Sequence, residues 1–341
     1  MQRLLFLAES AGGGAKIPAT SVVKLKNMKP GLLRSSNIIP ILLTVCTIFV
    51  ASLWYAAPSA AEEPNPFASA VSLLSAKVAN GQVTVLEINL RDLDPTASDP
   101  KARFGQNAIV LFQHPVKPAG VYCGLIGIPL NAAPEKAFVE LEWTDFRGRQ
   151  ATEVPLQIID GKYKSEALRV DSGKVTLSKK DQQRVAGEKK EIQRIYANSS
   201  DTRLWYGSFK KPLAGDATSV FGTRRLFNGQ QRSHHRGTDF RADVGAPVKA
   251  SNSGIVRLAR NLFFSGNIVI VDHGMDIFSN YAHLSKIQVI EGQHIARGDP
   301  IGQVGSTGRV SGPHLHWGIK VNGVYVDPLQ FLTVISSLLA Q

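Results

Sequence analysis

Seven of the chain's eight histidines lie between residues 215 and 332. Three short runs there carry side chains whose spacing could do chemistry: His235-Arg236-Gly237-Thr238-Asp239, Tyr281-Ala282-His283-Leu284 and Gly312-Pro313-His314-Leu315-His316-Trp317-Gly318. Side chains on a strand alternate between faces, so His314 and His316 share one side while Leu315 takes the other. His235 and Asp239 are four apart with Gly237 between them, and they converge if the backbone turns at the glycine. Two imidazoles and one carboxylate meet the needs of a catalytic zinc site, which has three protein ligands and an open position for water. In such a site the ion lowers the pKa of its water towards ~7 and polarises a scissile carbonyl. Unligated groups then shuttle protons and stabilise the oxyanion. His283 and one member of the 314/316 pair are left over for that work, and spacing alone leaves open which member.

The elements that must position these residues read as short strands. Within 219–330 they are separated by turn residues at Asn252-Ser253-Gly254, His273-Gly274, Glu291-Gly292, Arg297-Gly298-Asp299, Gly305 to Gly308 and Asn322-Gly323. No room remains for crossover helices, so a compact antiparallel β-domain is expected over 215–332. Upstream, residues 80–178 give about seven short strands, which predicts an immunoglobulin-like β-sandwich. Val139, Leu141 and Trp143 alternate with Glu140 and Glu142, and Val175 to Leu177 reads as a late strand. Ser178-Lys179-Lys180-Asp181 has the form of a capping box, and Val185, Ile192, Ile195 and Tyr196 follow at helical intervals. Residues 179–214 are therefore expected as a connecting helix and linker, and 62–79 as a second linker. The fold class expected is mainly β.

Of 341 residues, 43% are hydrophobic and 19% charged, which excludes a disordered tail and suits about two domains. Much of the formal charge of +12 is N-terminal: residues 1–61 hold six basic side chains and one acidic, a net +5, leaving 33 basic and 26 acidic, a net +7, for the rest. No basic block is interleaved with aromatics, so no nucleic-acid partner is expected. Cys46 and Cys123 are too few for a disulfide framework, a four-thiolate zinc site or an iron–sulfur cluster. Ile38 to Ala57 runs twenty residues without a charge, preceded by Lys24, Lys26, Lys29 and Arg34 and followed by Ser59-Ala60-Ala61. That pattern exports the rest of the chain to the periplasm or cell envelope. Cleavage after Ala61 and retention as an inner-membrane anchor through 38–57 both remain open, and Met28 is an alternative start. Cys123 reads as a small buried hydrophobe.

Beyond spacing, the ordered runs resemble a known family. Ser219 to Arg225, His235 to Phe240, Gly245 to Ala250, Gly254-Ile255-Val256, Gly266-Asn267, Tyr281 to Leu284, Ile301-Gly302, and Gly305 to Trp317 are similar to the lysostaphin-type zinc peptidases that cut peptidoglycan cross-links. The likeness covers about 215–330. It implies that His235, Asp239 and His316 bind Zn2+, that His283 and His314 act on the water or the oxyanion, and that peptidoglycan is the partner. The leader, sandwich and helix are more loosely similar to exported Gram-negative members.

The function expected is zinc-dependent hydrolysis of amide bonds in peptidoglycan stem-peptide cross-links, with zinc-bound water as nucleophile. The alternative is a non-hydrolytic protein of the same fold that binds the cell wall and activates another hydrolase; all five positions are filled, which favours the enzyme. A lipoyl-like carrier, suggested by the glycine-turned short strands, would need a lysine at an exposed hairpin tip, and no lysine here is suitably placed. The sequence names no protein activator. His114, His234, His273 and His294 are read as structural, Tyr281 as packing, and Arg224 and Arg225 as either holders of a substrate carboxylate or solvated charges. Residues 62–200 are expected to cover the groove at rest, with their deletion raising activity, although no ligand-mimicking residue stands out.

Overall fold

The structure, a computed structural model, describes residue 67 and residues 69–341 apart from 230, without the side chains of 231 and 232. The expected leader and its apolar run at 38–57 lie outside the described residues. Among the described residues, no helix is long and apolar enough to cross a membrane.

The first layered unit contains β1 (Val71–Leu73), β2 (Lys77–Ala79), β3 (Val83–Asn89), α1 (Leu90–Leu93), β4 (Ser98–Phe104), β5 (Asn107–Ile109), β6 (Leu111–Gln113), β7 (Val121–Gly127), β8 (Lys136–Asp145) and β9 (Gly148–Ile159). Four strands in the order β1-β3-β7-β6 face five in the order β2-β9-β8-β4-β5. Between the sheets, Leu86, Ile88, Ile126, Val139, Leu141, Trp143 and Leu156 form a core. The alternation read in β8 is present: Val139, Leu141 and Trp143 are buried, while Glu140 is exposed. Residues 62–79, expected as a linker, include β1 and β2, which bury Val71 and Val78 in that core. Runs of three residues are too short to display a period, and that is why they read as linker.

After the sandwich come β10 (Ser165–Leu168) and α2 (Lys179–Tyr196). Val175 to Leu177 is not a strand; a 3₁₀ turn at Ser172–Lys174 precedes the helix instead. The helix starts where its capping residues place it: the Ser178 hydroxyl accepts the Asp181 N–H at 3.1 Å. Ile192, Ile195 and Tyr196 pack on Leu258, Leu262, Ile268, Ile270, Phe278 and Ala282. That is one face of the large sheet.

The large sheet is built from β11 (Ala217–Ser219), β14 (Thr238–Phe240), β15 (Pro247–Lys249), β16 (Gly254–Leu262), β17 (Gly266–Asp272), β18 (Ile277–Ile287), β19 (His294–Ile295), β20 (Pro300–Val304), β21 (Leu315–Val321) and β22 (Val324–Val326). It is ten-stranded, with the main order β11-β14-β21-β18-β17-β16-β19, and every pairing is antiparallel. A separate hairpin, β12 (Arg224–Phe227) with β13 (Gln231–His234), takes β10 as a parallel third strand. The chain ends in α3 (Pro328–Leu339), which runs past residue 332 because Asp327 caps it and Phe331, Ile335 and Leu338 are buried.

The sandwich and the large sheet share a core. Val83, Val85, Phe112, Cys123 and Leu125 from the first unit lie in one cluster with Trp205, Val326, Phe331 and Ile335. Polar contacts close the joint: Gln330 donates to Val83 O at 2.8 Å, Asn322 donates to Leu125 O at 2.6 Å, and Asp327 N donates to Gly81 O at 2.8 Å.

Candidate metal centre

Strand register brings the site together. Asp239 on β14 is directly opposite His316 on β21, and His316 is in turn opposite Ala282 on β18. His235, just after β13, is fixed by its backbone N–H to Thr223 O at 2.9 Å. Gly237 lets the 235–239 turn lie against β21: a Cβ there would meet Trp317 O at 2.5 Å and His316 Cε1 at 2.6 Å. The glycine thus permits close approach.

His283 reaches the site through a bulge. Asn267 pairs with Leu284 and Val269 with Tyr281, so Ala282 and His283 together oppose Ile268. Strict alternation would put His283 on the face of Tyr281, which is buried in the core with Trp317. The bulge, with His283 at φ +65°, moves its ring to the other face, 5.9 Å from the ring of His316 and 4.9 Å from that of His314.

Three donors face one another: His235 Nε2 to Asp239 Oδ1, His235 Nε2 to His316 Nδ1, and His316 Nδ1 to Asp239 Oδ1 are each 2.9 Å. Together they form a group that could hold a metal ion. The donor set fits zinc. His235 Nδ1 lies 3.0 Å from Val220 O, so it carries the proton and leaves Nε2 as a lone pair. Burial pulls His235 down to about 4, against the opposing pull of Asp239, and this keeps the ring neutral near pH 7. Burial acts to raise Asp239, but the charges and hydrogen bonds of His235 and His316 outweigh it and hold the carboxyl well below its ordinary range.

His283 and His314 face the same space. Each donates Nδ1–H to a backbone carbonyl, Thr307 O and Gly312 O respectively, at 2.8 Å, and so keeps Nε2 free. His314 Nε2 is 3.8 Å from Asp239 Oδ2. Burial first, then the neighbouring His314 and His316 rings, lowers His283 to about 3; burial likewise lowers His314. All five side chains singled out in the sequence are thus brought together.

Two clefts meet here. One, about 770 Å³, is lined by Arg236, Phe264, Asn280, Ala282, His283 and His316, with α2 along its side. The other, about 730 Å³, is lined by Glu166, Arg225, Asp239, Arg309 and His314. The guanidinium of Arg309 lies 4.2 Å from the ring of Phe227 and 4.4 Å from that of Phe264.

The remaining candidates are placed elsewhere. Tyr281 is buried, with its hydroxyl 2.8 Å from Ser251 N and 2.9 Å from Ser279 Oγ. His273 lies in the turn between β17 and β18, as read, and is buried there, with Nδ1 2.7 Å from Ser253 O and Nε2 2.7 Å from Ser279 Oγ. His114 is buried beside Glu87, while His234 and His294 are exposed. Cys123 is buried, and burial pushes its thiol up to about 12. Arg225 is not a solvated surface charge: its Nη2 donates to Asp239 Oδ2 at 2.5 Å and its Nε to Glu166 Oε1 at 2.6 Å. No motif flagged Glu166. Its only sequence signal is a carboxylate in an ordinary short strand.

Residues 233–328 match the model of Peptidase family M23. Over 114 residues the chain is 44% identical to the peptidoglycan DD-endopeptidase ShyA of Vibrio cholerae serotype O1, covering 33% of this chain and 26% of ShyA. Over 95 residues it is 41% identical to the DD-carboxypeptidase/endopeptidase Mpg of Neisseria meningitidis serogroup B, covering 28% of this chain and 22% of Mpg. The chain therefore spans about a quarter of the length of these relatives. A crystal structure from Pseudomonas aeruginosa, assigned to peptidase M23, is 28% identical at a TM-score of 0.57, covering 75% of this chain and 95% of that one. Over residues 233–328, then, this chain carries a peptidase family M23 domain.

Proposed function

We infer that the chain is a zinc-dependent endopeptidase that hydrolyses amide bonds in the stem-peptide cross-links of peptidoglycan. The observation that carries this reading is the mutual 2.9 Å contact of His235, Asp239 and His316, with two further imidazoles free at Nε2 beside it. His235 Nε2, Asp239 Oδ1 and His316 Nδ1 would hold the ion. Zinc held there would supply Lewis acidity for activating a water and polarising the amide carbonyl.

The chain's own residues do the proton work. Hydrolysis of an amide removes a proton from water and delivers one to the leaving nitrogen. His283 and His314 are suited to both steps: their Nδ1–H groups are tied to the backbone and their Nε2 atoms are unprotonated near pH 7. The ring that has gained the proton donates a hydrogen bond to the developing oxyanion or passes the proton to the amine. Arg236 and Arg309 in the cleft walls suit the carboxylates of stem peptides. The relatives named for peptidoglycan, together with the leader pattern, support an exported, cell-envelope location.

Purified sacculi digested with residues 62–341, with and without a chelator, test this reading by mass spectrometry of the products. Peptides with newly freed amino groups are expected only without chelator. Zinc binding with no cleavage would favour the non-hydrolytic activator.

A further inference from the structure

We propose that Arg225, held in place by Glu166, is a positioning residue that limits Asp239 to one metal-facing oxygen. The inference rests on the metal reading above and assigns a role to a residue outside the family region, since Glu166 lies well before residue 233.

The two oxygens of Asp239 have separate partners. Oδ1 is 2.9 Å from both His235 Nε2 and His316 Nδ1, whereas Oδ2 accepts from Arg225 Nη2 at 2.5 Å. A carboxylate free to rotate can offer both oxygens to a divalent ion and so fill an additional coordination position. A catalytic site needs that position open. With Oδ2 engaged by a guanidinium, Asp239 presents Oδ1 alone.

Arg225 is itself immobilised. Its Nε donates to Glu166 Oε1 at 2.6 Å and its Nη2 to Ser219 Oγ at 2.8 Å, while Ser219 Oγ lies 3.2 Å from Glu166 Oε1. The rigid fork of arginine serves Asp239 and Glu166 at once, which a lysine ammonium would not. Parallel pairing of β10 with β12 sets Glu166 opposite Arg225, so the geometry is fixed by backbone as well as side chain. The arrangement also balances charge, because Glu166 offsets a cation that would otherwise face the ion uncompensated.

The test uses the full-length chain loaded with cobalt(II), whose d–d absorption is stronger in four-coordinate than in five-coordinate sites. Arg225→Met is expected to weaken and shift that absorption and to lower kcat by roughly 10- to 100-fold with little change in KM. Glu166→Gln is expected to move both in the same direction by less, and Arg225→Lys to recover part of the loss. Glu166 is partly exposed, so its variant remains decisive if Arg225→Met does not fold. Wild-type protein that takes up cobalt alongside folded variants with its spectrum overturns this inference alone. Loss of cobalt from a folded variant also overturns it, because Arg225 is assigned to orient an oxygen rather than to supply affinity. Wild-type protein that takes up no metal overturns the metal reading and this inference together.

Discussion

Separate jobs for the five clustered side chains lead to separable phenotypes. Asp239→Ala removes one of the three corners of the donor triangle and is expected to abolish both metal binding and turnover. His283→Ala and His314→Ala leave the three donors intact, so zinc content should persist while kcat falls roughly 10²- to 10⁴-fold; metal analysis beside a kinetic assay checks this. Gly237→Ala would place a Cβ 2.6 Å from His316 Cε1 and is expected to displace that ring, costing about 1–3 kcal/mol of stability and weakening zinc uptake. Thermal denaturation and chelator competition report the two effects. The spacing of His314 and His316 and of His235 and Asp239 was visible in the sequence because strand alternation and a glycine are local features. Two determinants were not. The bulge that turns His283 towards the site arises from cross-strand register with β17, and Glu166 reaches Arg225 only through strand pairing across nearly sixty residues.

The elements bear a pH signature of their own. His273 follows β17 and joins Ser253 O to Ser279 on β18; burial, against weaker opposing pulls from Ser253 and Asp272, lowers it from 6.5 to about 4. The unfolded chain takes up that proton near pH 6.5, but the folded one only near 4. Stability is therefore complete above about pH 6.5 and is lost as pH falls towards 4, by about 3 kcal/mol at most. Urea unfolding across that range should show a shallower pH dependence in His273→Gln than in the wild type; parallel curves would contradict this assignment. Strands such as β8 and the capped start of α2 were legible because each carries its own alternation or cap. The short β1 and β2, and α3 beyond residue 332, were not, since their apolar residues make sense only against a partner surface.

At the scale of the whole molecule, the sandwich and the large sheet are joined too closely to act as a removable cover and an independent enzyme. Val83, Val85, Phe112, Cys123 and Leu125 share a core with Trp205, Val326 and Phe331, while Ile192, Ile195 and Tyr196 of α2 cover apolar residues of the sheet face. Deleting residues 62–200 would expose both surfaces and remove Glu166. It is therefore expected to destabilise the M23 region, whereas the sequence alone had suggested a gain in activity. Residues 62–341 should unfold in a single calorimetric transition, and two well-separated transitions would contradict a shared core. Composition and periodicity could place a sandwich before a β-domain, but nothing local shows that two sheets bury residues against each other.

The other assignments at the site depend on one zinc ion being shared by His235, Asp239 and His316. Native mass spectrometry of residues 62–341 after zinc loading and buffer exchange counts that ion. The wild-type chain should carry one zinc and Asp239→Ala none; a metal-free wild-type chain, or a variant that keeps its zinc, would contradict the shared site.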